Sequence, residues 1–147
     1  PQYVETVYQL LRRLELEAVK LDRAAPGFIG NRLQFALLRE ALHIVHSGIA
    51  SAGVVDQVMR ASLGRRYAMV GPLEAADMTG LNTVLDIYSH LLPELAQGDA
   101  MLELIKEKTQ RGDTGERSGD GFYHWDEARR LRIQQRRAWQ LRHALKP

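Results

Sequence analysis

Asn31 is the residue best suited to chemistry by its type and position. It lies in the run PGFIGNRL at residues 26–33, where a long apolar helix is predicted to begin at a junction between domains. Amides in the first turn of a helix lack intrahelical partners, and a carboxamide both donates and accepts hydrogen bonds. Clefts between domains are also favoured ligand sites. Asn31 is therefore a candidate functional residue; the alternative is an asparagine that only fixes the junction.

Three further polar residues on the same predicted helix could in principle bind a metal. Glu40, His43 and His46 follow one another at steps of three. On a helix with 3.6 residues per turn these steps spread the side chains over about 120°, so another ligand would be needed. We expect no metal site here, and expect this side of the helix to face solvent or a partner. The sequence also has no HExxH motif and no nucleophile-elbow serine, so it gives a hydrolase no support.

The glycine-rich stretch at residues 111–121 does not fit a phosphate-binding or calcium-binding loop. It lacks the Lys-Ser/Thr pair of a P-loop, follows no predicted strand, and its acidic residues do not alternate as in a calcium loop. We predict instead a turn that brings Phe122, Tyr123 and Trp125 back onto the helical body.

Apolar residues spaced three and four apart predict that most of the chain is helical. Helices are predicted over residues 1–14, 28–46, 51–64, 73–78, 81–95 and about 99–109. The second should be central and well covered, because apolar residues occupy nearly half of its circumference. Ser51 should cap the third, which should end at Gly64 before a loop. The predicted fold class is all-α.

Residues 16–22 differ from this pattern, because apolar and polar side chains alternate there. Such alternation predicts a short strand or an extended linker. One strand cannot form a sheet, so the first helix and this segment look like the end of an α/β unit whose other strands lie upstream. Pro1, in place of an initiator methionine, favours a longer reading frame.

Length and composition indicate an ordinary globular domain. The chain has 147 residues, 45% of them apolar and 26% charged, which is typical of one folded core. The absence of cysteine excludes disulfides, Cys-ligated zinc, iron–sulfur clusters and thiol nucleophiles. No apolar stretch reaches the roughly 18 residues of a membrane span. We expect a cytoplasmic protein without a membrane partner.

The net charge of +2 is unevenly distributed. Residues 127–147 carry seven basic groups against Glu127, a net +6, which leaves −4 on residues 1–126. The basic segment is predicted to be a helix that docks through one apolar stripe and keeps its arginines in solvent. The stripe consists of Leu131, Ala138, Leu141 and Leu145, and the basic residues are Arg129, Arg130, Arg132, Arg136, Arg137, Arg142 and Lys146. The alternative is a polyanion-binding helix, and we expect no nucleic-acid partner.

Several short motifs follow one another from Pro26 onward. They are PGFIGNRL, REAL, SGIAS, VVDQVM, GPLE and DMTGLN, with SGDGFYHW at residues 118–125. Each is weak alone, but in this order the chain resembles the C-terminal domain of the L-3-hydroxyacyl-CoA dehydrogenase family. Residues 1–22 likewise resemble the last helix and strand of that family's dinucleotide-binding domain.

The resemblance implies NAD-dependent oxidation of a 3-hydroxyacyl-CoA to a 3-ketoacyl-CoA by hydride transfer, as in fatty acid metabolism. In the family the acid/base His–Glu pair and the G-x-G-x-x-G turn that holds NAD belong to the N-terminal domain. We therefore expect no cofactor-binding residue in this chain and no activity from it alone. Asn31 matches the family's catalytic asparagine, which positions the substrate oxygen. The resemblance also implies a homodimer formed through the helical domain.

Arg66 departs from the acyl-CoA pattern. The run GRRYA at residues 64–68, ahead of GPLE, is similar to the gulonate dehydrogenase and lambda-crystallin branch, in which the matching arginine faces the site. A guanidinium can bind a free carboxylate through two hydrogen bonds. Arg66 is therefore a candidate substrate-binding residue, and a solvated or dimer-contact arginine is the alternative. The substrate stays open between a 3-hydroxyacyl-CoA and a free hydroxy acid such as gulonate.

Three parts of the chain are expected from these arguments. Residues 1–24 would be the remnant of the dinucleotide-binding domain with its linker, 25–126 the all-α substrate and dimerisation domain, and 127–147 the basic helix. A helical dimerisation module that has kept the fold without the chemistry is the alternative from another functional class.

Overall fold

The computed structural model describes residues 2–99 and 101–143, and these form helices joined by turns. The helices are α1 (Gln2–Arg13), α2 (Phe28–His46), α3 (Ala52–Ala61), α4 (Leu63–Arg66), α5 (Pro72–Thr79), α6 (Leu81–Leu91), a 3₁₀ turn (Leu92–Glu94), α7 (Met101–Gln110) and α8 (Glu127–His143). Within the described ranges, β-pairing is limited to an isolated bridge between Asp120 and His124. The all-α fold class is confirmed. No helix in these ranges is both long and apolar enough to cross a membrane.

The chain divides into two compact units, Pro1–Leu38 and Arg39–Pro147. The parts predicted at residues 1–24, 25–126 and 127–147 follow functional motifs rather than contacts, and they stay a prediction.

The first unit combines α1 with a segment of irregular backbone at residues 16–21. An ion pair joins Glu5 to Lys20 at 2.7 Å, and the Lys20 ammonium lies 4.4 Å from the ring centre of Tyr8. The segment expected as a strand or linker forms no strand, and its Ala18 amide closes a tight turn onto the Leu16 carbonyl at 2.9 Å. An open groove of about 540 Å³ lies between α1 and this segment. Most of its wall is apolar, from Val4, Val7, Leu11, Val19, Leu21 and Phe28.

The end of α2 and the start of α3 follow the sequence signals. Gly48 adopts φ +75°, the left-handed conformation that closes a helix. The Ser51 hydroxyl accepts a hydrogen bond from the Val54 amide at 3.4 Å, so the predicted cap is confirmed.

The predicted end of α3 at Gly64 is wrong. The helix stops at Ala61, and the separate turn α4 passes through Gly64. The backbone leaves the helical region at Ser62, with φ −120° and ψ −86°, while the Ser62 amide and hydroxyl both donate to the Val58 carbonyl, at 2.9 and 2.7 Å. A Cβ atom at position 64 would lie 3.0 Å from the Met59 carbonyl oxygen. Glycine therefore serves there for close approach to the preceding helix, and not as a helix terminator.

The junction that precedes α5 holds the GPLE motif in a fixed conformation. Pro72 occupies the first helical position, where a missing amide proton costs nothing. The Glu74 carboxylate accepts a hydrogen bond from the Gly71 amide at 2.9 Å. Gly80, with φ +90°, then turns the chain from α5 directly into α6. The two helices pack against each other.

One side-chain contact in the second unit spans a long stretch of sequence. The Glu40 carboxylate accepts a hydrogen bond from the Ala96 amide at 2.7 Å, which ties α2 to the segment before α7. Leu42, Ala96 and Met101 are the buried apolar residues of the described ranges.

The expectation that α2 is well covered is wrong for this chain. Leu42 is its single buried residue in the described ranges, while Leu33 and Phe35 are 56% and 60% exposed. The predicted buried faces of α3 and α6 are also open, at Val58 and Leu85 for example. The periodicity identifies the apolar faces correctly, but the described residues of this chain do not cover them.

The basic segment is helical as predicted, over Glu127–His143, while Leu145 and Lys146 lie outside the described residues. Asp126 caps α8, since its carboxylate accepts the Arg129 amide hydrogen bond at 2.6 Å. Arg130 donates to the Glu116 carbonyl at 2.8 Å. Beyond this first turn, α8 packs against no other described helix of its own unit.

Candidate functional site

The turn that leads into Asn31 has an unusual backbone. Pro26 and Gly27 occupy the middle of a tight turn closed by a hydrogen bond from the Phe28 amide to the Ala25 carbonyl, at 3.1 Å. Gly27 has φ +79°, as the third position of a Pro-Gly turn requires. Phe28 also has a positive φ, +50°, which is rare for a bulky side chain and costs free energy. Such strain clusters at functional sites.

Asn31 projects from the first turn of α2 as an exposed residue. In the described ranges, its carboxamide makes no hydrogen bond within the chain, and no side chain caps the first amides of α2. The alternative role for Asn31, in which its side chain fixes the junction, would require a hydrogen bond from the carboxamide to that junction, and none is present in the described ranges. The carboxamide is therefore available to a substrate.

Arg66 is the last residue of α4 and is exposed, like its neighbour Arg65. Among the described residues it forms no ion pair, whereas the Arg111 guanidinium pairs with Asp113 at 3.3 Å. The Tyr67 amide closes α4 onto the Leu63 carbonyl at 2.9 Å, and the Val70 amide then bonds the Arg66 carbonyl. The backbone at Arg66 is thus held in place while its guanidinium stays free to bind an anion.

The two candidates lie in different units, Asn31 in the first and Arg66 in the second. Their roles as catalytic and substrate-binding residues stay predictions.

The glycine-rich stretch forms the predicted turn. The Trp125 amide donates to the Gly119 carbonyl at 2.7 Å, and the Gly121 amide donates to the Tyr123 carbonyl at 3.0 Å. Lys108 of α7 donates to the Gly121 carbonyl at 2.8 Å, and its ammonium lies 5.1 Å from the ring centre of Phe122. The amides of this stretch are used within the turn, which leaves few of them for an anion.

Tyr123 connects the turn to α3. Its hydroxyl donates to the Asp56 carboxylate at 2.7 Å, across 67 residues of sequence. The Arg129 guanidinium lies 4.2 Å from the ring centre of Tyr123, so the tyrosine also holds the start of α8. Partial burial, and then the hydrogen bond to Asp56, raise the pKa of the Tyr123 phenol above its ordinary value.

We expect Tyr123→Phe to lower the free energy of unfolding by about 1 kcal/mol, because it removes a hydrogen bond to a carboxylate that is partly exposed to solvent. Urea denaturation of the intact protein measures the change. Tyr67→Phe is the matched control, since no hydrogen bond of that hydroxyl is present in the described ranges.

The alkaline pH dependence tests the same contact. A raised phenol pKa stabilises the fold fully below about pH 10, where an unfolded tyrosine ionises, and this stabilisation is lost as the pH rises through the folded pKa. The difference between the wild type and Tyr123→Phe should therefore shrink above about pH 10. A difference that stays constant into that range would contradict a role for the phenol proton.

Of the three polar residues on α2 considered as metal ligands, Glu40 has a structural role, because its carboxylate accepts the hydrogen bond from the Ala96 amide. No group of three or more His, Asp or Glu side chains suited to a metal occurs in residues 2–99 and 101–143.

Sequence reasoning missed Asp56, and it considered Glu40 only as a possible metal ligand. Both are acidic residues on the same helices as predicted apolar faces, and their partners lie far away in sequence. Tyr123 itself was predicted to pack onto the helical body, and it does so.

Comparison with known proteins identifies the fold. Residues 27–125 match the family model described as "3-hydroxyacyl-CoA dehydrogenase, C-terminal domain". The chain therefore belongs to the 3-hydroxyacyl-CoA dehydrogenase family and carries that family's C-terminal domain. The helix α8 lies outside the matched residues.

Three relatives with known names are similar to this chain. The chain is 32% identical over 96% of its length to 5-formyl-3-hydroxy-2-methylpyridine 4-carboxylate 5-dehydrogenase of Mesorhizobium japonicum, and covers 46% of that protein. It is 41% identical to the lambda-crystallin homolog of Bos taurus over 60% of its length, and covers 28% of it. It is 37% identical to the "Probable 3-hydroxybutyryl-CoA dehydrogenase" of Bacillus subtilis over 69% of its length, and covers 35% of that protein.

A solved structure supports the arrangement of the helices. The crystal structure of a 5-formyl-3-hydroxy-2-methylpyridine 4-carboxylic acid 5-dehydrogenase, titled an NAD⁺-dependent dismutase, matches 96% of the chain with a TM-score of 0.90 at 32% identity. The chain covers 46% of that structure and spans less than half of each curated relative described above. In each of these relatives the matched region is therefore part of a longer protein.

Proposed function

We propose that this chain is the substrate-side domain of an NAD-dependent dehydrogenase that acts on a small substrate with a free carboxylate. The observation that carries the proposal is Arg66, an exposed arginine without an ion-pair partner among the described residues, at the end of a backbone-held helical turn. The relative that covers 96% of the chain is named for a pyridine carboxylate, which supports this substrate class.

Asn31 positions the reacting oxygen in this proposal. Its carboxamide N–H would donate to the substrate oxygen, which carries partial negative charge in the transition state because the hydroxyl proton is lost to a base while the hydride leaves the carbon. The acceptor of the hydride would be supplied by NAD, held mainly by protein outside this chain. The strained turn at Phe28 fixes where α2 begins, and hence where the carboxamide lies.

Arg66 binds the carboxylate end of the substrate. A guanidinium and a carboxylate form two parallel hydrogen bonds, which fix orientation as well as affinity. A CoA thioester has no carboxylate at that position, so it would leave Arg66 without a partner.

The second candidate is a 3-hydroxyacyl-CoA dehydrogenase. The family model and the Bacillus subtilis relative favour it. In this alternative Asn31 has the same role, while Arg66 faces solvent or a subunit contact.

Substrate comparison with the intact protein distinguishes the two candidates. NADH oxidation with acetoacetyl-CoA is compared with NAD reduction by free L-3-hydroxybutyrate, by L-gulonate and by a formylpyridine carboxylate. The proposal expects turnover with one or more of the free acids and little with the thioester. Efficient turnover of acetoacetyl-CoA alone would favour the alternative, and no turnover of any NAD substrate would favour a non-catalytic helical module.

We further propose that residues 1–24 complete a dinucleotide-binding domain. The segment at residues 16–21 belongs to no helix or strand of its own, and the groove beside it presents an apolar wall that includes Val4 and Phe28. The upstream protein of the intact chain would cover both.

A homodimer through the helical domain is the proposed assembly. The chain exposes 12,798 Å², against the roughly 7,600 Å² typical of a compact monomer of 16.7 kDa. Much of the excess is apolar and lies on α2, α3 and α6. We place the assembly in the cytoplasm, in keeping with a chain that has no cysteine.

A further inference from the structure

Helix α8 presents a basic and an apolar side, and described helices of its unit cover neither. It carries six arginines against Glu127, a net +5. Leu131, Ala138 and Leu141 are seven and three residues apart, which places them on one stripe, and Trp139 lies beside it. Leu131, Trp139 and Leu141 are 54%, 63% and 54% exposed. At 1.5 Å per residue the helix offers a surface about 25 Å long.

The helices α5 and α6, which pack on each other, have the opposite character. From residue 67 to residue 105 the sequence contains six acidic residues and no lysine or arginine. The exposed side chains of these helices are apolar and acidic together, and we call them the acidic surface: Leu73, Asp77, Met78, Leu85, Asp86 and Tyr88.

Among the described residues, the carboxylates of the acidic surface have no cationic partner. Asp77 and Asp86 form no ion pair within residues 2–99 and 101–143, where the ion pairs involve other acids such as Asp56 and Glu103. The side chain of Leu73 is 82% exposed, and that of Met78 78%. Exposed apolar groups beside unpaired carboxylates are what an arginine-rich amphipathic helix would cover.

We propose that α8 of one copy packs on the acidic surface of a second copy of this chain. The inference rests on the proposed homodimer and adds to it the surface that holds the two copies together. In a twofold dimer each copy gives its own α8 and receives the partner's, so the contact occurs twice. Because α8 lies outside residues 27–125, this contact is an addition to the domain that the family model describes.

Charge and apolar burial act together in this contact. The apolar stripe of α8 removes Leu85 and Tyr88 from water, which supplies affinity. The arginines that flank the stripe, Arg137 and Arg142, then meet Asp77 and Asp86 at short range, where salt screens them least. A polyanion would use the arginines but leave the apolar stripe exposed, so it would lack the contribution of apolar burial.

A charge-swap experiment with the full-length protein tests the proposal. One variant carries Arg137→Glu and Arg142→Glu, and the other carries Asp77→Lys and Asp86→Lys. Sedimentation equilibrium measures the dimer dissociation constant of each variant and of their equimolar mixture. We expect each variant alone to dimerise about tenfold more weakly or worse, and the mixture to recover most of the wild-type affinity. In the mixed dimer each reversed surface meets its complement.

The control is a variant of equal charge change elsewhere, with Arg13→Glu and Arg117→Glu at two exposed positions outside both surfaces. It should leave the dissociation constant unchanged. Circular dichroism of every variant checks that the helical content is retained.

Other results would overturn the inference in distinguishable ways. A wild-type protein that stays monomeric contradicts the proposed dimer as well as this contact. A dimer that tolerates both double variants shows that α8 lies outside the interface. Binding of heparin that is lost in the α8 variant, with dimerisation unchanged, assigns the helix to polyanions. Weak dimers that mixing does not rescue place α8 against another part of the protein.

Discussion

Replacement of Asn31 by alanine in the intact protein is expected to lower kcat by about a hundredfold, with a small change in KM. The carboxamide is proposed to donate to an oxygen that carries negative charge in the transition state, as its proton is lost to a base, and loss of one such donor costs about two orders of magnitude or more in kcat. Steady-state NADH production with the preferred substrate measures the effect.

The fold should survive this substitution. Asn31 is exposed, makes no hydrogen bond within the chain in the described ranges, and lies on a helix, where alanine is more favourable than asparagine. Asn82→Ala is the matched control, because Asn82 is also an exposed asparagine in the first turn of a helix, α6. An Asn31→Ala enzyme with unchanged turnover would remove this residue from the site.

Arg66→Met should lower kcat/KM for a carboxylate substrate by about a hundredfold, mainly through KM. Methionine keeps much of the side-chain volume but cannot form the paired hydrogen bonds of a guanidinium, and loss of one partner from such a pair is costly. Initial rates over a range of substrate concentrations separate KM from kcat. Turnover of acetoacetyl-CoA, where it is detectable, should not change.

The neighbouring Arg65→Met variant controls for loss of one positive charge. Arg65 is equally exposed on α4 and differs from Arg66 only in direction and position. If both variants weaken free-acid turnover alike, the effect is general electrostatic attraction. If neither does, Arg66 does not bind the carboxylate and the substrate class must be sought elsewhere.

Much of the fold could be predicted because helices leave local signals. The bounds of α2 and the Ser51 cap follow from spacing and residue type within a few positions. The break at Ser62 could not be predicted, because a single residue whose backbone leaves the helical region does not change the spacing of the apolar residues around it.

The exposure of the apolar helix faces could not be predicted from the spacing of the apolar residues. The apolar positions of α2 are placed correctly, yet Leu33 and Phe35 are largely exposed in this chain. A hydrophobic pattern reports which face needs a partner, and it does not report whether the partner belongs to the same chain.

Only part of the candidate site could be predicted from the residues alone. Asn31 could be singled out from its place in the first turn of a helix, whereas Arg66 depended on a family resemblance. The hydrogen bond from Tyr123 to Asp56 joins residues 67 apart, and nothing local in either segment indicates the other. Long-range pairs of this kind require the structure.

The long run without lysine or arginine also determines how this region can be probed by chemistry. Trypsin cleaves after Arg66 and next after Lys106, so α5 and α6 are released on a single large peptide together with their whole acidic surface. Amine-directed labels leave that peptide's interior unmodified, because it contains no lysine before its last residue. Footprinting of this face therefore has to rely on carboxylate-directed reagents, and protection of Asp77 and Asp86 would be read directly from one fragment.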